Sequence, residues 1–279
     1  MRTAGLLLVL GMLAAVLGLY GCGPKKAPDG QEADESWARI KKAGTIKWGA
    51  DGSGGGAPYV YKEKDDLLGW ELEVMKKMSG HLGVKYELAS VDWDKLPAHL
   101  KANNCDFIMN GYEMNEERKK LVDFSEPYCA YSQMMTVRVE DKDKYKTIAD
   151  LKDKKWGILS GTESFNVLVR AGVPEANISK FEDSNSPYLK LKDRTVDAVL
   201  QDDMIAEFYA GKDAELFNNP NVTAPGTYAI AVRKGEAALL AEFNKVIKTM
   251  KENGELAEIY KTWKIWNKAQ EAIGVKEKK

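Results

Sequence analysis

Residue types that build metal centres are scarce in this chain. It has 279 residues but only 2 His and 3 Cys. His81 and His99 lie far apart, and neither stands at a metal-ligand spacing from a cysteine. No zinc or other metal site is expected from them, and no cofactor. A basic excess is also missing. Lys and Arg total 41 against 42 Asp and Glu, a formal net charge of −1, which argues against a nucleic-acid partner. The glycine-rich stretch Asp51 to Gly56 (DGSGGG) lacks the Lys-Ser/Thr ending and the following helix of a phosphate loop. It reads instead as a turn or a close backbone approach. What remains is 44% hydrophobic and 30% charged, ordinary for a globular chain long enough for one large domain or two of medium size.

The first residues stand apart. Arg2 precedes an uncharged run, Ala4 to Leu19, which is short for a membrane span and carries a single positive flank, as an export signal does. Gly21-Cys22 closes it. A cysteine directly after a small residue at this place resembles a bacterial lipoprotein signal, in which Cys22 becomes the first mature residue and carries lipid. Ordinary cleavage near Gly21, or a retained anchor, is the alternative. Residues 1–21 are therefore read as a signal peptide. Residues 22–36, polar with Gly and Pro, are read as a flexible tether. The chain is expected in the periplasm or at the cell surface, anchored through Cys22. Export would permit a disulfide between Cys105 and Cys129; two buried thiols are the equal alternative.

The rest alternates. Thr45 to Ala50 reads as a strand. Gly69 to Gly83 reads as a helix, with Leu72, Met75, Met78 and Leu82 on one face. Val84 to Ala89 is a strand, Asp92 to Leu100 a helix with Asp92 as its cap, and Phe107 to Asn110 a strand. After a strand at Ser132 to Val139 the pattern restarts. Strands Lys155 to Leu159, Ser179 to Asp183 and Val196 to Gln201 alternate with helices Ser164 to Ala171, Pro187 to Lys192 and Asp202 to Tyr209. A strand at Thr227 to Arg233 and helices at Leu239 to Asn253 and Glu255 to Trp266 follow, and Gly274 to Lys279 look frayed. Strand–helix alternation implies parallel sheets with helices on their faces, here in two α/β lobes.

Ligands of open α/β sheets bind beyond the carboxyl ends of the strands. Three such ends are polar in a complementary way. Asn110, Gly111, Glu113 and Arg118 follow the first. Thr162 and Glu163 follow the second, at a helix start whose N–H groups favour an anion. Asp202 follows the third. Together they suit a zwitterion, its carboxylate on Arg118 and the Thr162 turn, its ammonium on Asp202 and Glu113. Each has a plainer reading. Thr162 and Asp202 could merely cap helices, and the charges around Arg118 could merely face water.

Several segments in order carry a resemblance: GWELEVMKKMSGHLGV (69–84), NGYEMNEER (110–118), DFSEPY (123–128), VDAVLQDD (196–203), TYAIAVRK (227–234) and NGELAEIYKTW (253–263). The chain resembles the bacterial extracellular solute-binding proteins of family 3, type II periplasmic binding proteins that serve as polar amino-acid receptors of ABC importers. The resemblance implies two α/β lobes with mixed, mostly parallel sheets joined by two crossover strands. It places lobe 1 at 37–132 and 226–267, lobe 2 at 133–225 and a tail at 268–279. It implies ligand carboxylate on Arg118, ammonium on Asp202, a helix-end turn at Thr162 and the Glu163 N–H, backbone contacts at Asn110 and Gly111, and a pocket wall at Trp93. Trp93 could equally be core.

Two positions depart from the family pattern. Gly56 stands where an aromatic residue is usual, and Glu113 where a small hydroxyl residue is usual. Glu113 is expected to meet the ligand's ammonium or a cationic side chain; otherwise it points at Arg118 or water. The function expected is amino-acid capture by hinge closure and delivery to a membrane permease, by a monomer that is not an enzyme. The runner-up is a dehydratase of cyclic carboxylates on the same fold, with Glu113 or Glu163 as general acid.

Overall fold

The computed structural model describes residues 34–279 apart from 54, 55, 222 and 279. The signal peptide, most of the tether and the lipidation site at Cys22 lie outside the described residues. The chain runs through α1 (Ser36–Ala43), β1 (Thr45–Ala50), a hairpin of β2 (Tyr61–Glu63) and β3 (Asp66–Leu68), α2 (Trp70–Leu82) and β4 (Lys85–Ser90). Next come α3 (Leu96–Lys101), β5 (Phe107–Ile108), the one-turn α4 (Glu116–Lys119) and the long β6 (Val122–Arg138). The second set is β7 (Trp156–Leu159), α5 (Glu163–Arg170), β8 (Ile178–Phe181), α6 (Ser186–Lys192), β9 (Ala198–Asp202), α7 (Asp203–Tyr209) and β10 (Leu216–Asn218). The chain returns along β11 (Thr223–Arg233) and ends with α8 (Ala237–Glu252), α9 (Glu255–Thr262) and α10 (Lys268–Ala272).

The strand order is β4-β1-β5-β11-β6-β9-β7-β8, with β10 beside β6. β1 pairs in parallel with β4 and β5, and β7 in parallel with β8 and β9. Between these sets, β6 and β11 run antiparallel. They are the two crossover strands, and the two-lobed α/β architecture is as expected. Each lobe is held by an apolar core in which helices pack on the sheet. On α2, Leu72, Val74, Met75, Met78 and Leu82 are buried, each worth about 1.5–3 kcal/mol when fully removed from water. Trp156, Ile158, Val167, Leu168 and Leu200 form the matching core of the second lobe. Cys105 and Cys129 are buried free thiols.

Some boundaries differ from expectation. β6 begins at Val122 rather than Ser132, because pairing with β11 holds Val122 to Tyr131 extended despite their mixed polarity. Asp92 does not cap a helix; its carboxylate meets Lys95, and a 3₁₀ turn at Trp93–Lys95 comes first. Residues 274–278 are docked rather than frayed. Val275 is buried, Lys276 N–H donates to the Lys251 carbonyl at 2.9 Å, and Glu277 pairs with Lys261 at 2.7 Å.

Candidate ligand site

The carboxyl ends of β1, β5, β7 and β9 meet at one place. Trp93, Asn110, Gly111, Glu113, Thr162 and Asp202 line a single void there. Its open volume is only about 10 Å³, so its walls lie close together. Tyr59, Leu159, Ser184 and Ile205 belong to the same wall.

Arg118 is presented by α4. The Asn115 side chain caps that turn by accepting from the Arg118 N–H at 2.9 Å. The guanidinium is almost enclosed, with 12% of the side chain exposed. It lies 4.3 Å from the Tyr112 ring centroid and 5.0 Å from that of Trp93. Its Nη1 donates to the Glu113 carbonyl at 2.7 Å and to the Glu113 carboxylate at 2.5 Å. Its Nη2 donates to the Gly161 carbonyl at 2.9 Å. Burial works against the charge, yet the Glu113 carboxylate holds the Arg118 pKa above its ordinary value.

Glu113 therefore points at Arg118, the alternative to its expected role on ligand ammonium. Its second oxygen accepts from the Glu163 N–H, at the start of α5, at 3.0 Å. The backbone fixes this direction. Glu113 bridges to Tyr228 of β11, and the Met114 N–H donates to the Thr227 carbonyl at 3.0 Å. Both donors expected to hold a ligand carboxylate thus hold the Glu113 carboxylate instead.

Asp202 differs. Its register partner on β6 is Gln133, whose amide donates to one carboxyl oxygen, while the Tyr228 hydroxyl donates to the other. Tyr59 shares a hydroxyl hydrogen bond of 2.7 Å with Tyr228, and Ser164 donates to Gln133 at 2.6 Å. These partners are neutral. Burial, then the negative charge of Glu113, pushes the Asp202 pKa well above the usual carboxylate range, against the hydrogen bonds from Tyr228 and Gln133. Asp202 does not cap α7 with its side chain, so the plainer reading of this residue fails.

The remaining expected residues divide. Thr162 does not cap α5; its hydroxyl donates to the Leu159 carbonyl at 2.8 Å. Glu163 offers its N–H inward, while its carboxylate accepts from Arg170 at 2.8 Å, Asn166 at 3.0 Å and Asn115 at 3.2 Å. Those hydrogen bonds outweigh burial, and its pKa is lowered. Trp93 is both wall and core: its ring faces Arg118, and its Nε1 donates to the Asn110 carbonyl at 2.8 Å. Asn110 accepts from the Asp51 N–H at 2.8 Å and joins two strand ends. Gly111 has φ 56°, and a Cβ there would meet the Tyr59 ring at 2.7 Å. Gly56 has no room for the family's aromatic residue, since a Cβ would lie 2.0 Å from the Asp51 carbonyl oxygen.

Residue-by-residue reading overlooked Tyr228, Gln133 and Glu71. Glu71 is fully buried under the cleft, accepting from the Gly111 N–H at 2.8 Å and the Tyr128 hydroxyl at 2.5 Å. Burial pushes it to about 7 despite those bonds. A signal was present. Glu71 falls on the apolar face of α2 with Met75, Met78 and Leu82, where a carboxylate needs a reason. Among the described residues no cluster of His, Cys, Asp and Glu is suited to a metal ion, and no helix is long and apolar enough to cross a membrane.

Two lobes joined by two crossing strands, with polar groups from both at one cleft, define a ligand-binding protein of the type II periplasmic class. The chain belongs to the bacterial extracellular solute-binding proteins, family 3, whose model matches residues 46–265. It is 29% identical over 232 residues to the L-cystine-binding protein TcyJ of Escherichia coli (strain K12), covering 81% of this chain and 84% of that protein. It is 32% identical over 213 residues to the arginine-binding extracellular protein ArtP of Bacillus subtilis (strain 168), covering 74% and 81%. Among solved structures, an ancestral amino acid-binding protein, AncCDT-1, described as a precursor of cyclohexadienyl dehydratase, superposes with a TM-score of 0.75 at 29% identity. That match covers 82% of this chain and 98% of the other.

Proposed function

We propose that this chain is the receptor of an ABC importer for a polar amino acid, and that a basic amino acid suits it best. The observation that carries this reading is Asp202, a buried carboxyl lining the void with neutral partners only. An ammonium group is its natural complement. Arg118 and the Glu163 N–H supply carboxylate-binding groups across the same cleft. With Arg118, Glu113 and Asp202 all ionised, the site carries one unmatched negative charge, which a ligand of net charge +1 neutralises. The arginine-binding relative supports this preference.

Closure would hinge near 132–133 in β6 and near 225–226 in β11, where the register of the crossing pair shifts between Thr223 and Gly226. The closed form would dock on a membrane permease. Lipid on Cys22 would keep the receptor at the membrane, and Cys22→Ser should release it into the soluble fraction. Calorimetry with arginine, lysine, glutamine and glutamate tests the ligand class. Arginine or lysine is expected to bind tightest, and a clear preference for glutamate overturns the basic-ligand reading.

The dehydratase reading stands second, on the likeness to AncCDT-1. Its general acids fit poorly. Glu113 is ion-paired to Arg118, and the lowered pKa of Glu163 keeps it ionised. Release of product from cyclic carboxylate substrates by the purified protein would reverse this ranking.

A further inference from the structure

We infer that Glu113 is a built-in stand-in for the ligand's carboxylate: it latches the two lobes together, and an incoming amino acid must evict it. This rests on the amino-acid reading above only in its second half. The latch stands on geometry alone.

Glu113 is 1% exposed, and both carboxylate oxygens are satisfied, one by Arg118 and one by the Glu163 N–H. Arg118 comes from the segment before β6, and Glu163 from α5 of the second set. The carboxylate therefore bridges the lobes, as a bound ligand carboxylate would. Two more bonds cross at the same place: Arg118 to the Gly161 carbonyl at 2.9 Å, and the Asn115 amide to the Glu163 carboxylate at 3.2 Å. A threonine or serine at position 113 could not reach both donors.

The consequence concerns affinity and choice. A ligand carboxylate that takes the donors makes bonds that Glu113 loses, so that exchange contributes little net binding. Evicted Glu113 also loses its cation, Arg118, inside a cleft where an unpaired carboxylate is costly. A ligand that brings a second cation meets this need, whereas a neutral amino acid leaves it unmet. Glu113 thus selects basic over neutral ligands and weakens both relative to a site without it. Arg118 stays oriented when Glu113 is replaced, because its Nη1 also donates to the residue-113 carbonyl.

The test uses the wild-type chain with Glu113→Thr and, as the size-preserving variant, Glu113→Gln. Amide hydrogen exchange is read without added ligand, and calorimetry with arginine and glutamine. In Glu113→Thr the Glu163 amide should exchange at least tenfold faster. Glutamine should bind at least tenfold tighter, and the arginine-to-glutamine affinity ratio should shrink. Glu113→Gln should fall between. Unchanged Glu163 protection in both variants, with melting curves that show folded protein, overturns the latch. An unchanged or weakened glutamine affinity, with the wild type binding arginine, overturns the competition. If no variant binds any amino acid while Glu163 protection falls, the latch stands and the amino-acid reading fails.

Discussion

The two ends of the cleft both hold a buried carboxylate, yet they differ in what answers it. Glu113 has a cation and a helix-start N–H. Asp202 has an amide and a phenol. One end is electrostatically complete, and the other waits for a positive charge. The ends should therefore do different work. On the proposed reading, the Asp202 end would supply net attraction, because a ligand ammonium there would replace no protein cation. The Arg118 end would supply discrimination, because a ligand carboxylate there would have to displace a protein carboxylate making the same bonds.

Removing the cation from the complete end should have the largest effect. Arg118→Ala strands Glu113 in a buried site, a loss of about 3–5 kcal/mol for breaking such a pair from one side. Chemical denaturation should show it, and the double variant Arg118→Ala/Glu113→Ala should recover much of it. If the single variant is as stable as wild type, the pair is not buried in solution and the contrast between the ends collapses.

Behind the Arg118 end lies Glu71, pushed to about 7 by burial. Between its ordinary 4.5 and about 7 the folded protein keeps a proton that the unfolded chain has released. Its contribution is complete below 4.5, falls as pH rises through that window, and is gone above it. Denaturation of wild type and Glu71→Gln from pH 4 to 8 should diverge by roughly 3 kcal/mol across the window, with the variant flatter. Parallel profiles would mean that Glu71 is ionised throughout.

Asp202→Asn leaves the open end its shape and removes its charge. Ligand affinity should fall roughly a hundredfold, about 2.7 kcal/mol, with stability near neutral pH little changed, since burial already holds the free carboxyl toward its protonated form. Wild-type binding should release protons, because ammonium favours the ionised form of a carboxyl whose pKa is raised. Calorimetry in buffers of differing ionisation enthalpy reads this release, which should vanish in the variant. Retained affinity would move the ammonium seat elsewhere. The smallest effect belongs outside the cleft. The exposed Arg170 partner of Glu163 should contribute under about 1 kcal/mol, so Arg170→Ala should barely shift the melting curve.

Much of the architecture was legible locally. Strand–helix alternation and the apolar stripe of α2 are short-range patterns that packing obeys. Less legible were β6 before Ser132, the docked tail and the role of Glu71. Each depends on a partner far away in sequence, namely β11, Lys251 and Gly111. The site was half legible. Arg118, Asp202 and the Glu163 N–H stand at strand and helix ends, where a lack of local partners is visible in the pattern itself. Tyr228 and Gln133 were not, since nothing in an apolar strand marks which residue will face a carboxylate on its neighbour.

Read alone, the chain showed the alternation of two α/β lobes and put Arg118, Thr162 and Asp202 near element ends, because periodicity and turn chemistry act over a few residues; the family came from the resemblance of its ordered segments. It also marked Glu113 as the odd residue in its segment. The direction of the Glu113 side chain came from long-range pairing. Its backbone pairs with Thr227 and Tyr228, more than a hundred residues on, and that pairing turns the carboxylate toward Arg118 and α5. Charge at a position is written in the chain, but the partner of a buried charge is set by whichever groups the fold brings within hydrogen-bond reach.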